Sequence, residues 1–321
     1  MTESMAEPQH ILVIKLGALG DFIYATGAMA AIRRHHPQDK ITLLTTQPFE
    51  KLGRACGYFD DVWVDKKPNK FNLLGWAALR KRLNSGHFAR VYDLQNNDRT
   101  SLYFRLFSPR PEWVGAVKGA SHRNASPERS AGHAFAGHQQ TLALAGITDV
   151  TLDHLGWMTG DISDFPLQPP YVLIVPGCSP NHPEKRWPIA HFRAVVGKLL
   201  RQGYQPVILG TKDDADATAE ICRGFEGVLD LTGRTSLCDV PDLARGAVCA
   251  IGNDTGPMHI CALAECPVVM LFSNQTSLIR KHAPPKDSGV KAFESYDMKD
   301  IPVADVFAAF QDLVSPQTPA E

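Results

Sequence analysis

Short runs of consecutive apolar residues alternate along this chain with stretches in which apolar positions recur every three to four residues. Ile11-Leu12-Val13-Ile14-Lys15 reads as a strand buried on both faces, and residues 22–32, ending before Pro37, read as the helix after it. The same alternation predicts strands over 41–46, 62–64, 91–94 and 113–117, with helices over 49–55, 71–83 and 101–107 between them. Residues 118–132 lack periodicity and read as a long loop, and a helix over 133–145 follows. Beyond the proline-rich stretch 164–170 the pattern restarts. Strands over 171–175, 206–209, 228–231, 248–252 and 268–272 alternate with helices over 189–202, 213–224, 237–245 and 303–313. Such alternation implies two α/β halves, each a doubly wound parallel sheet, with a cleft between them and ligands beyond the carboxyl ends of the strands.

The chain is organised around Val248-Cys249-Ala250-Ile251-Gly252-Asn253-Asp254-Thr255-Gly256-Pro257-Met258-His259. An apolar run ends in glycine, a polar loop follows, and Pro257 opens a helix, where its missing N–H costs nothing. The free N–H groups around Thr255 and Gly256 suit a diphosphate. The plainer reading is an ordinary strand-to-helix turn capped by Asp or Thr.

Composition narrows the class. A chain of 321 residues favours two domains of roughly 150 each. Its 33 Lys+Arg against 34 Asp+Glu give no general pull toward nucleic acid. Residues 66–129 are the exception, with 13 basic side chains against four acidic ones. Met1 to His10 is polar and acidic, unlike a signal peptide, and no apolar stretch reaches the ~18 residues needed to cross a bilayer. Seven cysteines without a Cys-x-x-Cys pair read as reduced core residues of a cytosolic protein.

Several side chains could carry chemistry. Gly17-Ala18-Leu19-Gly20-Asp21 lacks the spacing of a dinucleotide fingerprint, which disfavours NAD, yet sets a carboxylate at a helix start. Asp21 is either a helix cap or a general base. In the loop from Gly177 to Pro188, Lys185 and Arg186 suit a phosphate. Asp213 and Asp214 open a helix as dipole complements or hydrogen-bond a ribose, and Asp214-Ala215-Asp216 is a weak metal motif. His259 faces the phosphate seat or packs beneath it. No catalytic triad and no His-x-x-x-His pair is visible.

Taken together, these loops resemble glycosyltransferase family nine, the ADP-heptose:lipopolysaccharide heptosyltransferases and their relatives. The carriers are Lys15 to Asp21 with Thr26 and Ala31-Ile32-Arg33, Asp93-Leu94-Gln95 with Arg99, Pro176-Gly177 with Lys185-Arg186-Trp187-Pro188, Leu231-Thr232-Gly233 with Thr235-Ser236-Leu237, and Gly252 to His259. The resemblance implies a GT-B fold of two Rossmann-like domains facing a cleft: 1–165 on the acceptor side, 166–300 binding the sugar nucleotide, and 301–321 as a helix crossing back with a polar tail. It implies Asp21 as catalytic base. Lys185, Asp254, Thr255 and Gly256, with Ser179 and Arg186, would hold the donor diphosphate, and Asp213 and Asp214 would lie at the nucleoside. Gly17, Gly20, His259 and Arg99 would be accessory.

By the same likeness the reaction is inverting transfer of a heptose or related sugar from a nucleotide diphosphate donor to a lipopolysaccharide core or similar anionic glycolipid, without metal or cofactor. Cys178-Ser179 departs from the family's usual pair after the loop glycine. Other readings are a GT-B sugar-nucleotide epimerase and a non-catalytic ligand-binding relative. The basic excess points to peripheral contact with the cytoplasmic face of an inner membrane, against the alternative of a buried helix, residues 71–83, with a solvated basic rim.

Overall fold

The computed structural model describes residues 7–284 and 289–315. The first six residues of the polar N-terminal segment and residues 316–321 of the polar tail lie outside them. The chain forms two compact units, Met1–Asp153 and His154–Glu321.

In the first unit the elements run β1 (His10–Ile14), α1 (Leu19–His35), β2 (Lys40–Thr45), α2 (Glu50–Ala55), β3 (Asp61–Val64), α3 (Leu73–Ser85), β4 (Arg90–Asp93), α4 (Asp98–Leu106), β5 (Glu112–Gly115), β6 (His122–Arg123) and α5 (Ala134–Ala143). The six strands form a sheet in the order β3-β2-β1-β4-β5-β6, and every pairing is parallel. Ile11, Leu12, Val13 and Ile14 are fully buried, as a continuous apolar run covered by helices on both faces requires.

The second unit continues with β7 (Tyr171–Val175), α6 (Ile189–Arg201), β8 (Gln205–Ile208), α7 (Ala215–Cys222), β9 (Leu229–Asp230), α8 (Asp239–Gly246), β10 (Cys249–Asn253), α9 (Gly256–Leu263), β11 (Val268–Ser273), α10 (Ile279–His282), β12 (Val290–Ser295) and α11 (Val303–Val314). Its sheet order is β12-β11-β10-β7-β8-β9, again wholly parallel. Counted from each unit's first strand, this is the first unit's order, and both are the Rossmann order. Phe307 and Phe310 of α11 belong to the core that also holds Trp187, Phe192 and Val195 of this unit.

Three features differ from the sequence reading. The stretch 118–132 is not structureless: β6 joins the sheet edge at His122 and Arg123, and a 3₁₀ turn spans Pro127–Ser130. The Asn124 amide closes the segment onto Thr141 Oγ1 at 3.0 Å, so polar hydrogen bonds hold it where no apolar period could announce it. The sixth strand of the second sheet, β12, was not expected; it pairs along β11. Finally, the division between units falls after Asp153, ahead of the prolines. Leu155 and Met158 are fully buried, and Gly160 N donates to Asp242 Oδ2 at 2.8 Å while Arg245 donates to the Leu155 carbonyl at 2.7 Å. These bonds tie 155–160 to α8.

Candidate functional site

In each sheet the strand order reverses beside the first strand, between β1 and β4 and between β7 and β10. At such a switch point the loops leave in opposite directions and open a crevice past the strand ends. Most candidate residues lie on or beside those loops, whereas Asp213 and Asp214 follow β8 and Arg99 lies in α4.

At the second unit's switch point, Asp254 follows β10 and collects three donors. Lys185 Nζ donates to Oδ2 at 2.7 Å, Ser277 Oγ to the same oxygen at 2.6 Å, and His259 Nε2 to Oδ1 at 3.0 Å. Burial alone would raise the Asp254 carboxyl, but the His259 bond and charge, followed by Lys185, hold it well below the usual carboxylate range. It is an anion, and its partners are fixed around it. His259 thus packs beneath the loop, on the carboxylate. Lys185 ends a 3₁₀ turn, Pro183–Lys185, and keeps 16% of its side chain in solvent. The loop carrying it is pinned by Asn253, whose side chain donates to Pro176 O at 2.7 Å and accepts from Trp187 N at 3.0 Å. The Trp187 indole donates to Ile301 O at 3.0 Å. Trp187 is therefore an anchor.

Thr255 precedes α9 in an extended conformation, with Pro257 at the helix start, as expected from the sequence. The Thr255 and Gly256 N–H groups precede the first bonds of the helix, from Met258 N at 3.1 Å and His259 N at 3.3 Å to Thr255 O. A lysine ammonium and a free helix N-terminus thus lie on one loop system, a combination suited to a diphosphate.

The neighbouring acidic pair is differently employed. Asp214 is buried and caps its own turn, accepting from Thr211 N at 2.9 Å and Thr211 Oγ1 at 2.8 Å. Arg186 approaches it to 3.9 Å. A Cβ on Gly177 would sit 2.7 Å from the Asp214 carboxyl, so a side chain there would displace the carboxylate from its turn. Asp213 and Ser179 are exposed, and Ser179 O accepts from His182 N in the loop.

In the first unit, Gly17 has φ +128°, a backbone state that L side chains rarely adopt, and Phe49 closes over it. It turns the chain from β1 into α1, whose second and third residues are Gly20 and Asp21. Ala18 is the cap residue and makes no side-chain cap bond. Asp21, half-buried, has no hydrogen bond or ion pair among the described residues. Lys15 is buried below the loop and donates to Leu94 O at 3.2 Å, while Gln95 Oε1 accepts from Leu16 N at 2.8 Å. Burial lowers the Lys15 ammonium against the opposing charges of Asp21 and Asp93. Burial also pushes Asp93 up to about 6, against bonds from Asn96, Thr100 and Gln95. Arg99 lies farther out: it donates to Tyr103 Oη and Pro68 O, each at 3.0 Å, and its guanidinium sits 5.5 Å from the Trp76 ring centroid.

Ser277 escaped the sequence reading. It lies in the loop after β11, the other neighbour of β10, and only strand order brings it to Asp254.

Comparison with known proteins finds likenesses in sequence and in fold. Residues 148–300 match the family described as glycosyltransferase family 9 (heptosyltransferase). Lipopolysaccharide heptosyltransferase 3 of Escherichia coli K12 is 25% identical over 287 residues, 79% of each chain. Lipooligosaccharide heptosyltransferase 2 of Haemophilus influenzae is 32% identical over 95 residues, and the chain spans only 28% of that relative. In fold, the family 9 glycosyl transferase of Veillonella parvula matches with TM-score 0.80 at 22% identity, covering 95% of this chain and 97% of that one. The ADP-heptose LPS heptosyltransferase II of E. coli matches with TM-score 0.71 at 20% identity, covering 95% and 98%. With these likenesses, the two Rossmann-like units form a GT-B fold, and residues 148–300 are similar to glycosyltransferase family nine, the heptosyltransferases.

Proposed function

We propose that this enzyme transfers a heptose or a related sugar from a nucleotide diphosphate donor, ADP-heptose, to an anionic lipopolysaccharide core or similar glycolipid, with inversion. The observation that carries the reading is the Lys185–Asp254 pair beside the free N-terminus of α9. Asp254 accepts Lys185, His259 and Ser277, and so holds the ammonium at the strand end where a diphosphate binds. Lys185 and the Thr255 and Gly256 N–H groups stabilise the charge that grows on the leaving diphosphate. In the first unit Asp21 takes the proton of the acceptor hydroxyl as it attacks the anomeric carbon; its side chain is in no hydrogen bond or ion pair among the described residues, which supports that role. Direct displacement needs no covalent nucleophile. The acceptor is amphiphilic, so the enzyme works as a peripheral protein at the cytoplasmic face of the inner membrane.

The test is protection against thermal unfolding by ADP-heptose compared with UDP- and GDP-sugars, followed by transfer to a core-oligosaccharide acceptor. Protection by ADP-heptose and acceptor-dependent release of ADP support the reading. Conversion of the sugar nucleotide without acceptor would replace it with an epimerase.

A further inference from the structure

The tip where α3 begins turns its large apolar side chains outward. Phe71, Leu73 and Leu74 are 80%, 78% and 85% exposed, whereas Leu79 and Leu83 are the buried residues of α3. Scattered exposed apolar residues are ordinary, but three within four positions form a patch. The backbone beneath them is held in place. The Asn72 side chain accepts from Gly75 N at 2.8 Å, Trp76 Nε1 donates to Asn69 O at 3.0 Å, and Arg99 donates to Pro68 O. The exposure therefore belongs to a braced tip.

Lys66, Lys67 and Lys70 precede the patch, and Lys81 follows Leu74, Ala77 and Ala78 along the exposed face of α3. None of these four ammoniums is in a salt bridge among the described residues. Lys70 Nζ lies 5.0 Å from the Phe71 ring centroid. An apolar tip fringed by cations matches the boundary layer of an anionic bilayer, where aromatic and aliphatic side chains reach the acyl region while lysines stay level with the phosphates. A second copy docked face to face would oppose lysine to lysine. No helix of the described residues is long and apolar enough to cross a membrane.

We propose that Phe71, Leu73 and Leu74, with Lys66, Lys67, Lys70 and Lys81 around them, dock the first unit reversibly on an anionic lipid bilayer. This deepens the proposed function, because a lipid-linked acceptor is met at that surface. Docking is nevertheless measured without acceptor or donor. The protein is sedimented with phosphatidylglycerol-rich and with purely phosphatidylcholine vesicles, at low and high salt. Partition into anionic vesicles should exceed that into neutral ones by about tenfold or more and fall steeply with salt, since each lysine at the surface contributes roughly fivefold.

The triple variant F71S/L73S/L74S should lose about tenfold in partition, while transfer to a soluble, lipid-free acceptor is unchanged. Recovery of the wild type in the supernatant with anionic vesicles at low salt overturns the proposal, and so does a triple variant that partitions like the wild type. A concentration-dependent dimer that the triple variant lacks, without vesicle binding, gives the patch to a second copy and also overturns it. Vesicle binding without any sugar transfer leaves docking standing and removes the proposed reaction.

Discussion

The two switch points carry the same pair of residue types, a lysine from the loop after the first strand and an aspartate at the end of the fourth, yet they hold them in opposite states. In the first sheet, Asp93 pairs with Ile14, the last residue of its neighbouring strand. In the second, the residue opposite the corresponding last residue, Val175, is Gly252, so Asp254 stands two residues farther out. Two residues decide the chemistry. Asp93 is enclosed in the sheet end and burial raises it, while Lys15, immediately after β1, is enclosed with it. Asp254 reaches the loop layer, where His259, Lys185 and Ser277 keep it ionised and where Lys185 retains contact with solvent. The second pair keeps its lysine in contact with solvent; the first is enclosed, with the charge of Asp21 acting on Lys15.

The comparison breaks most visibly at Asp21. Asp21→Asn should lower transfer by about 10² or more while the donor dissociation constant, measured by calorimetry, stays as in the wild type. A variant keeping more than about a tenth of the turnover would return Asp21 to the role of dipole complement for α1. Lys185→Ala should weaken binding of the sugar nucleotide and its free nucleoside diphosphate alike, by roughly 1.5 to 3 kcal/mol. Unchanged affinity would make the pair with Asp254 purely structural.

A third test concerns pH. Burial, with the charges of Lys15, His133 and Arg129, pushes His138 down to about 3. The unfolded chain binds that proton near pH 6.5 and the folded one does not, so stability is present above pH 6.5 and is lost as pH falls toward 3, by up to about 1.4 kcal/mol per pH unit. Asp93 works the other way: raised to about 6, it takes up its proton first in the folded state and adds stability between about pH 6 and its unfolded value near 4. His138→Gln should therefore flatten or reverse the fall of melting temperature on acidification. An unchanged slope would show that His138 does not set it. The smallest effect is expected for Ser277→Ala, about 0.5 to 1.5 kcal/mol in donor affinity, from one neutral hydroxyl bond to the carboxylate that holds Lys185. A loss matching that of Lys185→Ala would instead put Ser277 in contact with the donor.

Most of the fold is legible in the sequence because its elements are local. The apolar runs at Ile11–Ile14 and Tyr171–Val175, the proline opening α9 and the glycine turn at Gly17 each satisfy a requirement within a few residues. What the sequence hides is what depends on polar pairing or on neighbours distant in the chain. The edge strand β6 is two residues of polar character, and β12 lies on the sheet edge, where the apolar signal is thin. Loops rich in Lys, Asp and Gly mark residues 15–21, 177–188 and 252–259 as candidate binding segments. They do not announce that Lys185 meets Asp254 across 69 positions, or that Ser277 joins them. Burial of Lys15 and exposure of Phe71, Leu73 and Leu74 were likewise beyond composition, since the same residues on a helical period fit either side of a surface. By itself the sequence determined the alternation of strands and helices, the two α/β halves and the loops that carry charge, because periodicity and turn chemistry act between near neighbours. Only the tertiary structure decided which lysine stays wet and which aspartate is raised, because strand order and register, set by packing across the whole sheet, fix how far each side chain stands from water.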